Sequence, residues 1–390
     1  MPPAARAVDW SLRSTASETV ELNNNLFLSP SPLGGTLGSY SSISANAEAR
    51  TPTSSFDFDS HVNYNKYWGP GASGLPDTEN LAFGFAGHYE TSGKNNADRN
   101  YLDAGFNQSS AAFALLGQLG VITNVVGSIN TLNFGGGLDR SLSALDTVSL
   151  SARSTLSSYD PPSAGTAYTD TSATASWSHR LGSLTTISAT SNPEWLSYDN
   201  AFGTNIVILR NQAGFNTSLS PFLSFRGNWG AAYVQTENRG TPSSSATGLI
   251  YDMALTYQAL KNTTFTLSAN QSVGPTAIGS LVKSSSVYAT ANQAINSVST
   301  LSFSANFGQN TSVGTSQYAS ASVSYSRTLT RDWTANLTYR YLHSFGTTGG
   351  TVAIAPIVAG IPVVTLSSAA SSNSLVVVVS KSITVLPHSD

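Results

Sequence analysis

The chain has 390 residues, of which only 10% are charged, with a net charge of −3 and no cysteine. Soluble proteins carry roughly 25% charged residues, so this sequence argues against a set of water-exposed domains, and its acidic balance argues against nucleic acid as a partner. Disulfides and thiolate metal sites are excluded, and no apolar run reaches the roughly 18 residues that would give a membrane-spanning helix.

Residues 1–7 lack the apolar centre of a signal peptide. Ala5-Arg6-Ala7 nevertheless has the small-x-small form of a processing site, so the stretch reads either as a signal-peptide remnant or as a disordered N-terminus. Residues 8–386 then read as one domain and 387–390 as a tail.

From the first strand, centred near residue 14, the dominant pattern is alternation with period two. Phe56, Phe58, Val62 and Tyr64 share one parity, while Asp57, Asp59, His61, Asn63 and Asn65 share the other. On a strand these two sets point to opposite faces. Further along, Tyr251, Met253, Leu255 and Tyr257 lead through Lys261-Asn262 to Phe265, Leu267 and Ala269. Leu301, Phe303, Ala305 and Phe307 follow Ser297-Val298, and Thr330-Arg331-Asp332 separates Ala321, Val323 and Tyr325 from Trp333, Leu337, Tyr339 and Tyr341. The last such stretch is Ser374–Val385, which is aliphatic rather than aromatic at its end.

The turns alternate between short and long, and the long ones are rich in Gly, Pro, Ser and Asn, which suit turn geometry. Apolar-out, polar-in strands with alternating turn lengths are the pattern of a transmembrane antiparallel up-and-down β-barrel in a bacterial outer membrane, surrounded by membrane lipid and lipopolysaccharide. The walk gives about 18 strands, with 16 to 20 admissible because the first 130 residues are less regular. An even number places both termini on the periplasmic side.

Two strips are candidates for the lumen wall. The first is Asp57, Asp59, His61, Asn63 and Asn65, either a ladder for cations or sugar hydroxyls or ordinary lumen polarity. The second is Arg13, Arg153, Arg226 and Arg340, either a track for anionic solutes or partners of Glu21, Asp57 and Asp59. The near balance of charge predicts weak ion selectivity. Two external segments are unusually apolar. One, Ala111–Val126, contains Phe113, Leu115, Leu116 and Leu119; the other, Thr351–Leu366, contains Ile354, Ile357, Ile361 and Val363. They read either as a plug or docking loop or as a satellite core under the loops. The small residues of Gly227–Ala231 would suit close contact with another copy of the chain.

No catalytic elbow or nucleotide-binding glycine motif occurs, and the five histidines show no metal-ligand spacing, so neither an enzyme nor a cofactor nor a metal is expected.

Val20-Glu21-Leu22-Asn23-Asn24-Asn25-Leu26, following Trp10, resembles the start of proteobacterial outer-membrane barrels associated with exopolysaccharide gene clusters. The likeness extends over the architecture of the chain, and its one local motif is short. It implies a glycan transport or secretion channel and transfers no binding residues. The sequence therefore points to a channel for hydrophilic solutes, saccharides among them. The alternative is a blocked barrel whose apolar loops dock a surface protein or polymer.

Overall fold

The computed structural model describes residues 8–75, 77–93, 98–111, 126–240, 242–275, 281–311, 315–348 and 369–386. The expected N-terminal remnant, the C-terminal tail and all eight named residues of the two apolar segments lie outside these ranges.

Eighteen strands form one closed sheet. The first nine are β1 (Asp9–Asn23), β2 (Thr36–Arg50), β3 (Ser54–Trp68), β4 (Glu79–Ser92), β5 (Arg99–Ser110), β6 (Ser128–Ser141), β7 (Asp146–Asp160), β8 (Tyr168–Arg180) and β9 (Thr185–Tyr198). The rest are β10 (Asn205–Ser220), β11 (Leu223–Glu237), β12 (Ser244–Leu260), β13 (Thr263–Pro275), β14 (Leu281–Asn296), β15 (Ser299–Thr311), β16 (Thr315–Thr328), β17 (Trp333–Thr348) and β18 (Ala370–Leu386). Each strand pairs antiparallel with its chain neighbours, and β1 pairs with β18 to close the ring. Closure removes the sheet edges that could not be tolerated in hydrocarbon.

Most of the tight connections lie at one end, as the alternation requires; the exception is β15 to β16, where Thr311 pairs with Thr315 and only three residues join the strands at the other end. Several are preceded by a register shift, as at Ser218/Ser220, Gln258/Leu260 and Ala294/Asn296. A bulge there sharpens the local twist and lets two residues reverse the chain. The less regular N-terminal third contributes strands as long as the others, so the count is 18.

Directly opposed residues in a sheet share a face, so the register carries a face assignment from strand to strand. Arg210 on β10 bonds to β13, two strands beyond its neighbour β11, and such a contact is made on the concave side. Carried through every pairing around the ring, this assignment returns to β10 without contradiction. Outward-facing residues then include Trp10, Phe58, Val62, Phe303, Phe307, Leu337 and Tyr339, all solvent-exposed in the isolated chain. In water such a surface would aggregate, but around a barrel it is the lipid-facing belt. Two outward lysines lie over tryptophan rings: Lys381 over Trp333 at 5.4 Å and Lys66 over Trp68 at 5.6 Å. Lysine beside tryptophan suits the interface, where the ammonium reaches headgroups and the ring stays half-apolar.

The Asn-rich turn after β1 fastens the closure. Buried Asn25 donates from Nδ2 to the Ser29 and Ser371 carbonyls at 2.8 and 2.9 Å and accepts from the Ser29 amide at 2.9 Å. Asn23 Oδ1 accepts from the Ser372 hydroxyl, and Asn24 Oδ1 from the Asn373 amide. One side chain thus shapes the turn and holds the last strand against the first. Asn25→Ala should cost about 1–3 kcal/mol by orphaning these groups, read as a lower urea midpoint for the barrel in lipid vesicles; an unchanged midpoint would remove Asn25 from the closure.

Candidate functional site

The lumen is the candidate site, and its wall differs from strand to strand. All nine lumen candidates from the sequence lie on the inner face. Asp57, Asp59, His61, Asn63 and Asn65 form one continuous strip on β3, opposed on β2 by Glu48, Asn46, Ser44, Ser42 and Tyr40. Arg13, Arg153, Arg226 and Arg340 are not brought together; they are spread over β1, β7, β11 and β17.

The expected pairing of these arginines with Glu21, Asp57 or Asp59 is not formed. Arg226 approaches Asp252 at 3.4 Å, Arg153 donates to Asn133 Oδ1 at 2.9 Å, and Arg13 and Arg340 make no ion pair among the described residues. The reason is register: the inner neighbour of Arg13 on β2 is Asn46, and that of Arg340 on β18 is Ser374. Asp59 instead accepts from Asn46 Nδ2 at 2.9 Å.

Near the short-turn end, β3 to β7 form a recess of about 500 Å³ where Ala86, Gly105 and Gly135 leave the wall thin. Asp59, His88, Tyr101, Asp103, Asn133 and Arg153 surround it. His88 Nδ1 and Asp103 Oδ1 are 2.6 Å apart, and Arg99 Nε donates to Asp139 Oδ2 at 2.9 Å while its guanidinium lies over Tyr101. Toward the long-loop end a second cavity, about 440 Å³, is lined by Glu21, Tyr40, Asn65, Tyr67, Asn80 and Arg340 among others. The Tyr40 hydroxyl donates to Glu21 Oε2 at 3.0 Å, and its ring meets Tyr67 edge-on at 5.6 Å. Carboxylate, guanidinium, phenol and amide groups thus converge on each cavity, and each can accept or donate to a hydroxylated or charged solute.

The opposite wall differs. On β13 to β16 the inner residues of the described strands carry no charge: Thr266, Ser268, Thr290, Asn306, Ser304 and Ser322 are typical. Between the two walls, β9 to β11 carry an apolar inner cluster of Leu196, Tyr198, Ile206, Ile208 and Val234. Beside it, Arg210 forms an ion pair with Glu194 and donates to Asn192 Oδ1 at 3.0 Å and to the Val273 carbonyl at 2.8 Å.

Sequence reasoning missed Arg210 and Glu194. Ile206, Val207, Ile208 and Leu209 are all apolar, so no alternation identifies the inner parity before Arg210. Pro193 adds to the irregularity: it has no N–H for β8, and the Ala173 carbonyl opposite accepts from Asn192 Nδ2 at 2.9 Å instead. His88, Glu90 and Asp103 were also not singled out, although the alternating parity of β4 and β5 was the signal that could have found them. Among the described residues no group of His, Asp and Glu could hold a metal ion.

No protein-family model and no curated protein matches the sequence. Solved structures do match in fold. The FrpB iron transporter of Neisseria meningitidis aligns with a TM-score of 0.58 at 8% identity, over 96% of this chain and 81% of that one. OccK2 of Pseudomonas aeruginosa aligns at 0.52 and 11%, over 97% and 98%, and a BenF-like porin of Pseudomonas fluorescens at 0.52 and 12%, over 96% and 99%. With its closed ring of 18 strands and its lipid-facing belt, the chain has the fold of a bacterial outer-membrane β-barrel porin.

Proposed function

We propose that the protein is a non-enzymatic outer-membrane channel that passes hydrophilic solutes, with neutral or weakly charged saccharides as the preferred class. The observation that carries this reading is the polar lining itself: a strip of Asp57, Asp59, His61, Asn63 and Asn65 on β3 and, across the lumen, a hydroxyl and amide wall on β13 to β16. A barrel of this strand number is wide enough to leave an aqueous passage. The porins it resembles in fold lend support. Hydroxyls and amides bind sugars without demanding a net charge, and interspersed carboxylates and guanidinium groups cancel most of the field along the path. Lipopolysaccharide would surround the belt at the long-loop end.

Single-channel recording in a planar bilayer tests this. Purified, folded protein should give stable steps with a weak preference for one ion sign, and an added oligosaccharide should interrupt the current. Silence from protein shown to be folded by its heat-dependent gel mobility would sink the reading and favour a blocked barrel that docks a surface protein or polymer. Asp57→Asn/Asp59→Asn should move the reversal potential toward anion preference, because two carboxylates that no cation neutralises among the described residues leave the wall while Arg13 and Arg153 remain; a reversal potential unchanged from wild type would place the ion path elsewhere.

A further inference from the structure

The ladder between β12 and β13 is incomplete. It runs up to Tyr251 opposite Gln271 and stops, although β12 stays paired with β11 as far as Ser244 and β13 with β14 as far as Pro275. The same register continued would set Ile250, Leu249, Gly248 and Thr247 opposite Ser272, Val273, Gly274 and Pro275. The upper part of β13 has turned out of the wall and into the lumen. By parity Val273 belongs to the outer face, yet it packs on the inner apolar cluster of Leu196, Tyr198, Ile206, Ile208 and Val234. Its carbonyl accepts from Arg210, and a Cβ added to Gly248 on the inner wall would lie 3.7 Å from its methyl group. Across the break, the Gln271 side chain donates to the Leu249 carbonyl, where a ladder bond would otherwise lie.

We propose that Arg210 is a positioning residue that pins the upper β13–β14 arm across the lumen, and that the arm has a second position, zipped onto β12, in which the pore is wider. In the inward position the arm buries the apolar cluster and gains the Arg210 bond, but it leaves backbone groups of β12 and β13 without their ladder partners. In the outward position the ladder is completed, while the cluster is exposed to the lumen and Arg210 loses one of its acceptors. The two positions exchange a few hydrogen bonds for a small apolar patch, terms of similar size and opposite sign. Glu194 and Asn192 hold the guanidinium in place in both, so the latch itself does not move. This inference rests on the channel reading for its functional consequence.

The absence of cysteine makes the test direct. Ile208→Cys/Val273→Cys should trap the arm inward and Leu249→Cys/Val273→Cys should trap it on the wall. Heat-dependent gel mobility first establishes that each variant folds. Oxidised Leu249→Cys/Val273→Cys should show conductance raised about twofold over its reduced form, and Arg210→Gln, whose shorter, uncharged side chain lacks the fork that reaches the Val273 carbonyl, should raise the occupancy of the larger step. Oxidised Ile208→Cys/Val273→Cys should abolish that step. If only the inward pair forms a disulfide, or if the wall pair forms one without changing conductance, the arm has a single position and the proposal is wrong. If the wild type conducts nothing, the channel reading fails, while the pattern of disulfides still decides whether the arm moves.

Discussion

Replacing Gly230 with valine is expected to eliminate the folded barrel. Gly230 faces inward on β11, opposite Gln212 on β10 and Ile250 on β12. A Cβ at this position would collide with the Asn211 carbonyl oxygen and lie 2.7 Å from Gln212 Cα. These are backbone atoms of the neighbouring strand, so no rotamer change relieves the overlap; β10 and β11 would have to separate and lose ladder bonds. Overpacking of this kind typically costs 1–3 kcal/mol where side chains can yield, and about 3 kcal/mol or more is expected where they cannot. Gly248→Ala is the matched control, since its methyl would meet only Val273 at 3.7 Å. Heat-dependent gel mobility and protease resistance should be lost in the first variant and kept in the second. A folded Gly230→Val would mean that the β10–β11 spacing is not fixed by this glycine.

The second large effect is expected at Glu194. Its side chain is 9% exposed and that of its partner Arg210 is 19% exposed, the most enclosed ion pair among the described residues. Glu194→Ala removes the carboxylate paired with the guanidinium, leaving it the Asn192 and Val273 oxygens as hydrogen-bond acceptors and Asp170 as the nearby negative charge, and should cost roughly 3 kcal/mol. Removing both charges, as Glu194→Leu/Arg210→Met, should recover much of that loss, because the replacements extend the adjoining apolar cluster. Urea unfolding in lipid vesicles supplies the comparison. A double variant no more stable than the single one would show that the pair is wetter than its burial suggests.

Much of the fold was legible in the sequence because lipid on one side and water on the other write a simple period into each strand. The expected count of about 18 strands is the number observed, and parity placed Asp57 through Asn65 and all four candidate arginines on the inner face. What parity could not supply was lateral neighbourhood. Which residue faces Arg340 depends on the register of β17 against β18, set by the turns and by closure rather than by any local signal. Arg210 escaped because the inner wall there is itself apolar, which erases the contrast that parity depends on. The inward turn of β13 leaves no trace either: Asn270-Gln271-Ser272-Val273 reads as an ordinary strand continuation, and the break is decided by contacts with β10, more than sixty residues earlier.

The closure between β1 and β18 also has a kinetic meaning. Every other pairing joins strands adjacent in the chain, each of which can form as soon as its hairpin exists. The pairing of Leu12 with Leu386 through Asn23 with Ser374 joins the two ends, so it waits for the final strand. Until then the growing sheet has two open edges, each able to pair with a foreign strand. Synthesis that stops short of Ala370 yields a sheet that can never become a ring, whatever the quality of its hairpins. The seventeen-residue β18 therefore decides whether the sheet becomes a ring, and the Asn25 turn beside β1 is the contact that receives it.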